Sequence, residues 1–117
     1  MDTKRGQAPL RCPAPEQRDG LQLQALESAE ADEELARLAK AIGHPVRVRI
    51  IRMLSRKEAR VCSQIVGDLP LAQSTVSEHL RILKEAGLVR SSQDGPRVGY
   101  CISFDTLRKL KALIAII

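Results

Sequence analysis

Residues 71–89 read LAQSTVSEHLRILKEAGLV, and this stretch decides the fold. Val76, Leu80 and Leu83 are spaced four and three residues apart, which predicts a helix over residues 73–86 with one apolar face. Gly87 is suited to end that helix, because glycine readily adopts the left-handed conformation that follows many helix C-termini. The first turn is rich in short polar side chains, as is typical of the second helix of a helix-turn-helix.

The residues upstream complete the motif. Residues 61–67 predict a short helix with Ile65 and Val66 as apolar positions. Residues 68–71 are predicted to be a turn, because Pro70 disfavours helix at the residue before it. The predicted motif is therefore a helix at residues 61–67, a turn at residues 68–71 and the helix that begins at residue 73.

Two further helices are predicted before the motif. The first has an apolar stripe, follows acidic residues that suit a helix N-terminus, and ends at Gly43. The second begins with His44 as a candidate N-cap and Pro45 in the first turn. The apolar stripes of the two helices are Leu35, Leu38, Ala39 and Ile42, then Val46, Ile50, Ile51 and Leu54.

A hairpin and a last helix follow the motif. Residues 88–90 and 98–102 are β-prone runs around Asp94-Gly95-Pro96, although Pro96 and the loop length argue against a two-residue turn. Ser103 is expected to cap the last helix, whose apolar residues repeat at three and four positions. These residues are Leu107, Leu110, Ile114 and Ile117. Such an apolar terminal helix predicts a homodimer joined by the first and last helices.

The pattern as a whole predicts a mainly α-helical fold with a small β-hairpin wing, that is, a dimeric winged helix-turn-helix. Residues 1–20 contain three prolines, two glycines and few apolar side chains, so we expect a flexible N-terminal arm. Residues 21–117 then form one domain for DNA binding and dimerisation. Residues 1–34 hold four basic and eight acidic residues, and the rest carries a net charge of +9, which suits a polyanion such as nucleic acid.

Composition excludes several other classes. The longest apolar run has six residues, far short of the roughly 20 needed to span a membrane, and no apolar segment follows Lys4 and Arg5 as in a secretory signal. A cytoplasmic protein without membrane contact is expected. The only aromatic residues are Tyr100 and Phe104, which disfavours readers of single-stranded nucleic acid. An enzyme is not expected, because His44 and His79 lie on separate helices without a nucleophile or glycine loop around them.

Residues 40–51, KAIGHPVRVRII, and residues 71–89 closely resemble the ArsR/SmtB family of bacterial winged-helix repressors. The likeness extends over about residues 33–114. It implies a homodimer that binds double-stranded operator DNA with an inverted repeat and is released by an inducer, often a metal ion or metalloid. Ala72 departs from the family, in which a serine usually caps the recognition helix, and the alanine forgoes about 1 kcal/mol of capping.

Seven residues are predicted to contact DNA. Gln73 can address adenine in bidentate fashion, and its short polar neighbours can reach bases or phosphates. Arg97, beyond the wing tip, can enter the minor groove or pair with phosphate. The full set is Gln73, Ser74, Thr75, Ser77, His79, Arg81 and Arg97, with a packing role for His79 as the alternative.

Three cysteines are the candidate ligands of an inducer. In winged helices the short strand before the third helix usually pairs with the second wing strand, so Cys62 and Cys101 are expected to come close, and Cys12 lies on the arm. Three thiolates without histidine suit a soft ion. The resemblance implies a trivalent arsenic or antimony inducer with no required cofactor, although residues 60–62 keep only the second cysteine of the family's Cys-Val-Cys pattern.

Two alternatives remain open for these cysteines. One is a thiol-based redox or persulfide-sensing repressor of the same fold, in which Cys62 and Cys101 become linked on oxidation. The other is a repressor without an inducer, in which every cysteine is a packing residue.

Overall fold

The computed structural model describes residues 28–56 and 60–117, with the side chains of residues 60–63 and 94 left outside the description. The predicted arm at 1–20, and Cys12 with it, lies outside the described residues. The elements in chain order are α1 (Ala29–Ile42), α2 (Pro45–Arg56), β1 (Arg60–Val61), α3 (Cys62–Gly67), α4 (Gln73–Glu85), β2 (Val89–Asp94), β3 (Arg97–Ile102) and α5 (Phe104–Ala115). This is the predicted winged helix-turn-helix, with α3 and α4 as the motif and β2 and β3 as the wing.

Local caps explain where the first two helices begin. Ser28 Oγ accepts a hydrogen bond from the Ala31 N–H at 3.1 Å, so α1 starts nearly two turns before its predicted apolar stripe. The predicted cap of α2 is confirmed, since His44 Nδ1 accepts from the Val46 N–H at 3.1 Å. Pro45 then occupies the first helical position, where its missing N–H costs no hydrogen bond.

The apolar faces of all five helices meet in one core. The predicted inward residues of α4 are buried, and Ile50, Ile51 and Leu54 of α2 are buried with them. The largest side chains without solvent contact are Leu38, Ile50, Leu54, Ile65, Leu80, Leu83 and Leu88. These residues come from α1 through the start of the wing. The apolar face of the recognition helix α4 therefore packs against a core to which the whole domain contributes.

The three strands form one antiparallel sheet in the order β1-β3-β2. β1 pairs with β3, with Arg60 opposite Tyr100, as the sequence predicted for the short strand before α3. The wing turn differs from prediction, because Asp94 pairs with Arg97 and only Gly95 and Pro96 lie between them. Gly95 has φ of 60°, and a glycine with positive φ at the first turn position permits a two-residue hairpin.

The last helix is capped as predicted, with Ser103 Oγ accepting from the Thr106 N–H at 3.4 Å. Its buried face differs from the predicted stripe. Leu110 packs into the domain's own core as part of that stripe, but its buried neighbour is Leu113, whereas Ile114 of the stripe is exposed. Phe104, Ile114 and Ile117 are exposed at 49%, 52% and 91%. The helix therefore has one apolar face that holds it to the domain and a second group of apolar side chains left uncovered.

None of the helices in residues 28–56 or 60–117 combines the length and the apolar character that crossing a membrane requires.

Candidate nucleic-acid interface

The face of α4 opposite the core is polar from its first residue. Gln73, Ser74, Thr75 and Ser77 are all exposed, while Val76 between them is buried. None of the four exposed side chains is needed to fill the core. The structure therefore brings together four of the seven predicted DNA contacts on one accessible surface.

The start of α4 favours negative charge. Ala72 is the N-cap and its side chain makes no capping hydrogen bond, as the sequence predicted. The first turn contains no acidic residue. Uncapped backbone N–H groups and the positive end of the helix dipole both attract an anion such as phosphate. The polar face thus begins at a point suited to approach a phosphate backbone.

His79 lies off this polar face. Its ring packs against the ring of His44, with the centroids 4.5 Å apart and the planes tilted by 48°. His79 Nδ1 is buried and has no hydrogen-bond partner within the described residues. Burial lowers the pKa of His79, and the nearby His44 and Arg47 lower it further, against a smaller opposite effect of Glu78. This geometry favours the packing role that is the alternative to a DNA contact for His79.

Arg81 is exposed but already engaged with two carboxylates of its own helix. It donates to Glu78 and, at 2.6 Å, to Glu85 Oε2. These hydrogen bonds raise the pKa of Arg81 above its ordinary value. To bind a phosphate, Arg81 would have to exchange these partners, so it is a weaker candidate for a DNA contact than the residues of the first turn.

Arg97 is half-buried and opens β3 immediately after the wing turn. It stands opposite Asp94 in the strand register. At the tip, Gln93 Nε2 donates to the Gly95 carbonyl oxygen at 2.9 Å and closes the turn. The predicted wing residue therefore follows a turn that is held by the Gln93 side chain.

Two arginines donate to backbone carbonyls at the C-terminal ends of helices, and neither contact was predicted from the sequence. Arg47 Nη1 on α2 donates to the carbonyl oxygen of Ala41 at 2.8 Å, at the C-terminus of α1. Arg37 Nη1 on α1 donates to the carbonyl oxygen of Ala86 at 3.0 Å, at the C-cap of α4. Arg47 lies four residues after Gly43, so the sequence could have indicated that it bonds to the end of α1. Arg37 is 49 residues from Ala86, and nothing in the neighbouring sequence indicates their contact.

Of the three candidate cysteine ligands, Cys62 and Cys101 can be compared through the backbone register of β1 and β3. Cys101 is buried on β3 opposite Arg90, and Cys62 begins α3 directly after β1. Val61 pairs with Gly99, so the antiparallel direction of β1 carries the next residue away from Cys101. With about 3.4 Å per residue, Val61 is already about 7 Å along the sheet from the level of Cys101. The strand pairing is as predicted, but its register corrects the expectation that Cys62 and Cys101 lie side by side.

No group of three or more histidine, cysteine or acidic side chains in the described part of the chain is arranged to hold a metal ion. The side chain of Cys62 and the whole of Cys12 lie outside that part.

Comparison with known proteins agrees with this architecture. The family model described as bacterial regulatory protein, arsR family, matches residues 44–91, which run from the cap of α2 into the wing. An uncharacterised HTH-type transcriptional regulator of Methanocaldococcus jannaschii is 33% identical over 85 residues, which make up 73% of this chain and 96% of the relative.

Two solved structures are similar to the chain. The first, described as a possible transcriptional regulator for arsenical resistance, has a TM-score of 0.62 and 30% identity over 68% of this chain and 80% of its own. The second is the homodimeric winged helix-turn-helix DNA-binding domain of a Mycobacterium bovis protein, with a TM-score of 0.64 and 25% identity. That likeness covers 85% of this chain and 89% of the other.

Proposed function

Because the chain belongs to the arsR family of bacterial regulatory proteins, we propose that it is a transcriptional repressor that binds double-stranded operator DNA as a homodimer. The observation that carries the proposal is the first turn and a half of α4. Four exposed polar side chains stand there on a helix whose opposite face is buried in the core. A helix presented in this way can enter the major groove without disturbing the domain.

Each part of the surface has a distinct task in this proposal. Gln73 reads a base edge, because a side-chain amide matches the donor and acceptor pair that adenine shows in the major groove. Ser74, Thr75 and Ser77 bind bases or phosphates at short range. Arg97 on the wing binds the adjacent backbone, which positions the protein without specifying sequence.

The dimer completes the proposal. Phe104 at the start of α5, Ile114 near its end and Ile117 beyond it are exposed apolar side chains that a second copy of the chain can bury. The similar Mycobacterium bovis domain is homodimeric. A two-fold dimer presents two recognition helices, so its operator is an inverted repeat with half-sites about 34 Å apart, one turn of the DNA helix.

Selection from a pool of random duplexes tests the DNA-binding function and identifies the operator in the same experiment. The wild-type protein should enrich an inverted repeat, and affinity for it should fall steeply with added salt as counterions are released. Enrichment of no sequence, or tighter binding of a separated strand than of the selected duplex, would contradict the proposed function.

We further propose that the inducer acts through thiols and is trivalent arsenic or antimony. The support is the chain's three cysteines and the likeness to a structure described as a possible regulator for arsenical resistance. One ion bound to several thiolates holds the sulfurs within a few ångströms of each other, as zinc does in thiolate sites with metal–sulfur distances of about 2.3 Å. Since the register carries Cys62 away from Cys101, joint coordination must shift the junction between β1 and α3. α3 packs beside α4, so that shift would misplace the recognition helix.

Release of the selected duplex is the measurement for the inducer. Arsenite or antimonite should dissociate the complex, and replacement of Cys62 by serine should abolish that effect while DNA binding remains. Cys101→Ala is the matching change at the buried position, since alanine avoids adding a hydroxyl to the core. Replacement of Cys12 by serine tests the arm. Release of the duplex by peroxide but not by arsenite would contradict the metalloid inducer and favour the thiol-based redox repressor.

A further inference from the structure

Arg37 connects α1 to the point where the recognition helix passes into the wing. Its Nη1 donates to the Ala86 carbonyl oxygen at 3.0 Å, and Ala86 is the C-cap of α4. Gly87 follows with φ of 86° and turns the chain toward β2. A guanidinium suits this position, because the last carbonyls of a helix lack partners within the helix and carry the negative end of its dipole.

A carboxylate on α1 holds the guanidinium in place. Glu34 Oε1 accepts from Arg37 Nε at 3.0 Å and from Nη2 at 2.8 Å, and Oε2 accepts from the same Nη2 at 2.8 Å. Two nitrogens of the planar fork are thereby fixed, which directs the third toward Ala86. The Arg37 guanidinium is therefore oriented by Glu34 on its own helix, independently of its contact with α4.

The last helix joins the same cluster. Lys109 Nζ on α5 lies 3.3 Å from Glu34 Oε2. Partial burial alone would raise the pKa of Glu34, but hydrogen bonds from Arg37 and Lys109 and their charges outweigh it and lower the pKa. Glu34 is thus ionised at neutral pH. A polar chain runs from α5 through Glu34 and Arg37 to the end of α4.

Stabilisation alone is an incomplete explanation for this arrangement. The side chains of Arg37 and Glu34 are 48% and 25% exposed, and ion pairs that stay open to solvent contribute only modestly to the folding free energy. The cluster fixes a position, since it ties the backbone at Ala86 to α1. The angle between the recognition helix and the wing is determined at that junction.

We propose that Arg37 is a positioning residue for sequence-specific DNA binding, acting through the Ala86 carbonyl to set the recognition helix relative to the wing. The inference rests on the proposed function. Bidentate contacts to base edges require accurate placement of the helix, whereas phosphate contacts depend mainly on charge. Loss of Arg37 should therefore lower specific binding and leave non-specific binding in place.

The test compares Arg37→Gln with Arg108→Gln. Arg108 also pairs with a carboxylate three residues away, Asp105 at 3.5 Å, so the control removes the same charge and a similar exposed ion pair. The duplex selected by the wild-type protein and a scrambled duplex of equal composition are the two probes. Arg37→Gln should weaken operator binding about tenfold, the effect of losing one well-placed base contact, with the scrambled duplex within about twofold. Arg108→Gln should match the wild type on both.

Several results would overturn the inference. Wild-type affinity of Arg37→Gln for the operator would do so, and so would equal losses on both duplexes. If Arg37→Gln lowers the melting temperature sharply, Glu34→Gln decides, because it keeps the arginine and replaces the charged two-oxygen acceptor that orients it by a single neutral amide oxygen. That variant should lose operator affinity in the same direction and by less, and unchanged discrimination would refute the positioning role. Failure of the wild type to prefer any duplex would overturn the proposed function and this inference together.

Discussion

Replacing Ile114 by glutamate should separate the proposed homodimer while leaving the protomer folded. Ile114 is 52% exposed on α5, so its outer half is available to a partner and contributes little to the protomer's own core. Complete burial of an isoleucine stabilises by about 1.5 to 3 kcal/mol, so covering the exposed half contributes about 1 kcal/mol per protomer. Both copies contribute in a symmetric dimer, which brings the sum to about 2 kcal/mol before the cost of removing a carboxylate from water.

A loss of this size is easily measured. Since about 1.4 kcal/mol is tenfold in affinity, the dimer dissociation constant should rise at least about 30-fold. Sedimentation velocity over a wide range of protein concentrations reports the shift. Ala115→Glu is the matched control, because Ala115 is the adjacent residue and is exposed, and the substitution adds the same charge. Leu110 is unsuitable for this purpose, since it is 3% exposed within the protomer and a charge there would unfold the domain.

The outcome of that comparison is decisive for the interface. If the Ile114→Glu variant dimerises as the wild type does, the apolar side chains of α5 are not the contact between protomers. Equal weakening by Ala115→Glu would assign the effect to added negative charge rather than to apolar burial. Thermal unfolding followed by circular dichroism establishes that both variants are folded.

Three further predictions follow from the same geometry. Ala72→Ser should raise the free energy of unfolding by about 1 kcal/mol in urea denaturation, because serine can cap α4 where alanine makes no side-chain hydrogen bond. An unchanged midpoint would show that the first backbone N–H groups of α4 already have partners. Because folding lowers the pKa of His79, this side chain takes up a proton in the unfolded chain first as the pH falls below about 6.5. The free energy of unfolding should therefore decline from pH 7.5 to 5, and it should decline less in the His79→Gln variant. Equal pH dependence of the two proteins would contradict that assignment. Arg97→Gln should weaken operator and scrambled duplexes alike in a binding titration, whereas loss confined to the operator would make Arg97 a reader of sequence.

The helical part of the fold could be predicted because its signals are local. In α4 the apolar residues recur at helical spacing, and the helix caps around α2 and α5 are built from residues adjacent in sequence. The prediction of a longer wing turn is wrong, because Pro96 does not obstruct a two-residue turn. With Gly95 at positive φ, proline fits as the second residue of such a turn.

The remaining features depend on contacts between distant residues. Periodicity places Leu110 on an apolar stripe of α5 but does not separate the side facing the domain from the exposed side that carries Ile114. The pairing of β1 with β3 follows from topology, whereas its register, which sets the offset of Cys62 from Cys101, depends on the length of the preceding link. The contact between His44 and His79 likewise depends on how α2 crosses α4.

The most direct test of the central claim is the affinity of a triple variant for the selected operator. Gln73, Ser74 and Thr75 are exposed and contribute nothing to the core, so alanine at all three positions should leave the melting temperature and the dimer unchanged. Fluorescence anisotropy with operator and scrambled duplexes should show that the variant binds the operator only as tightly as it binds the scrambled sequence. Undiminished preference for the operator would show that the first turn of α4 does not read DNA, and the role proposed for this surface would be wrong.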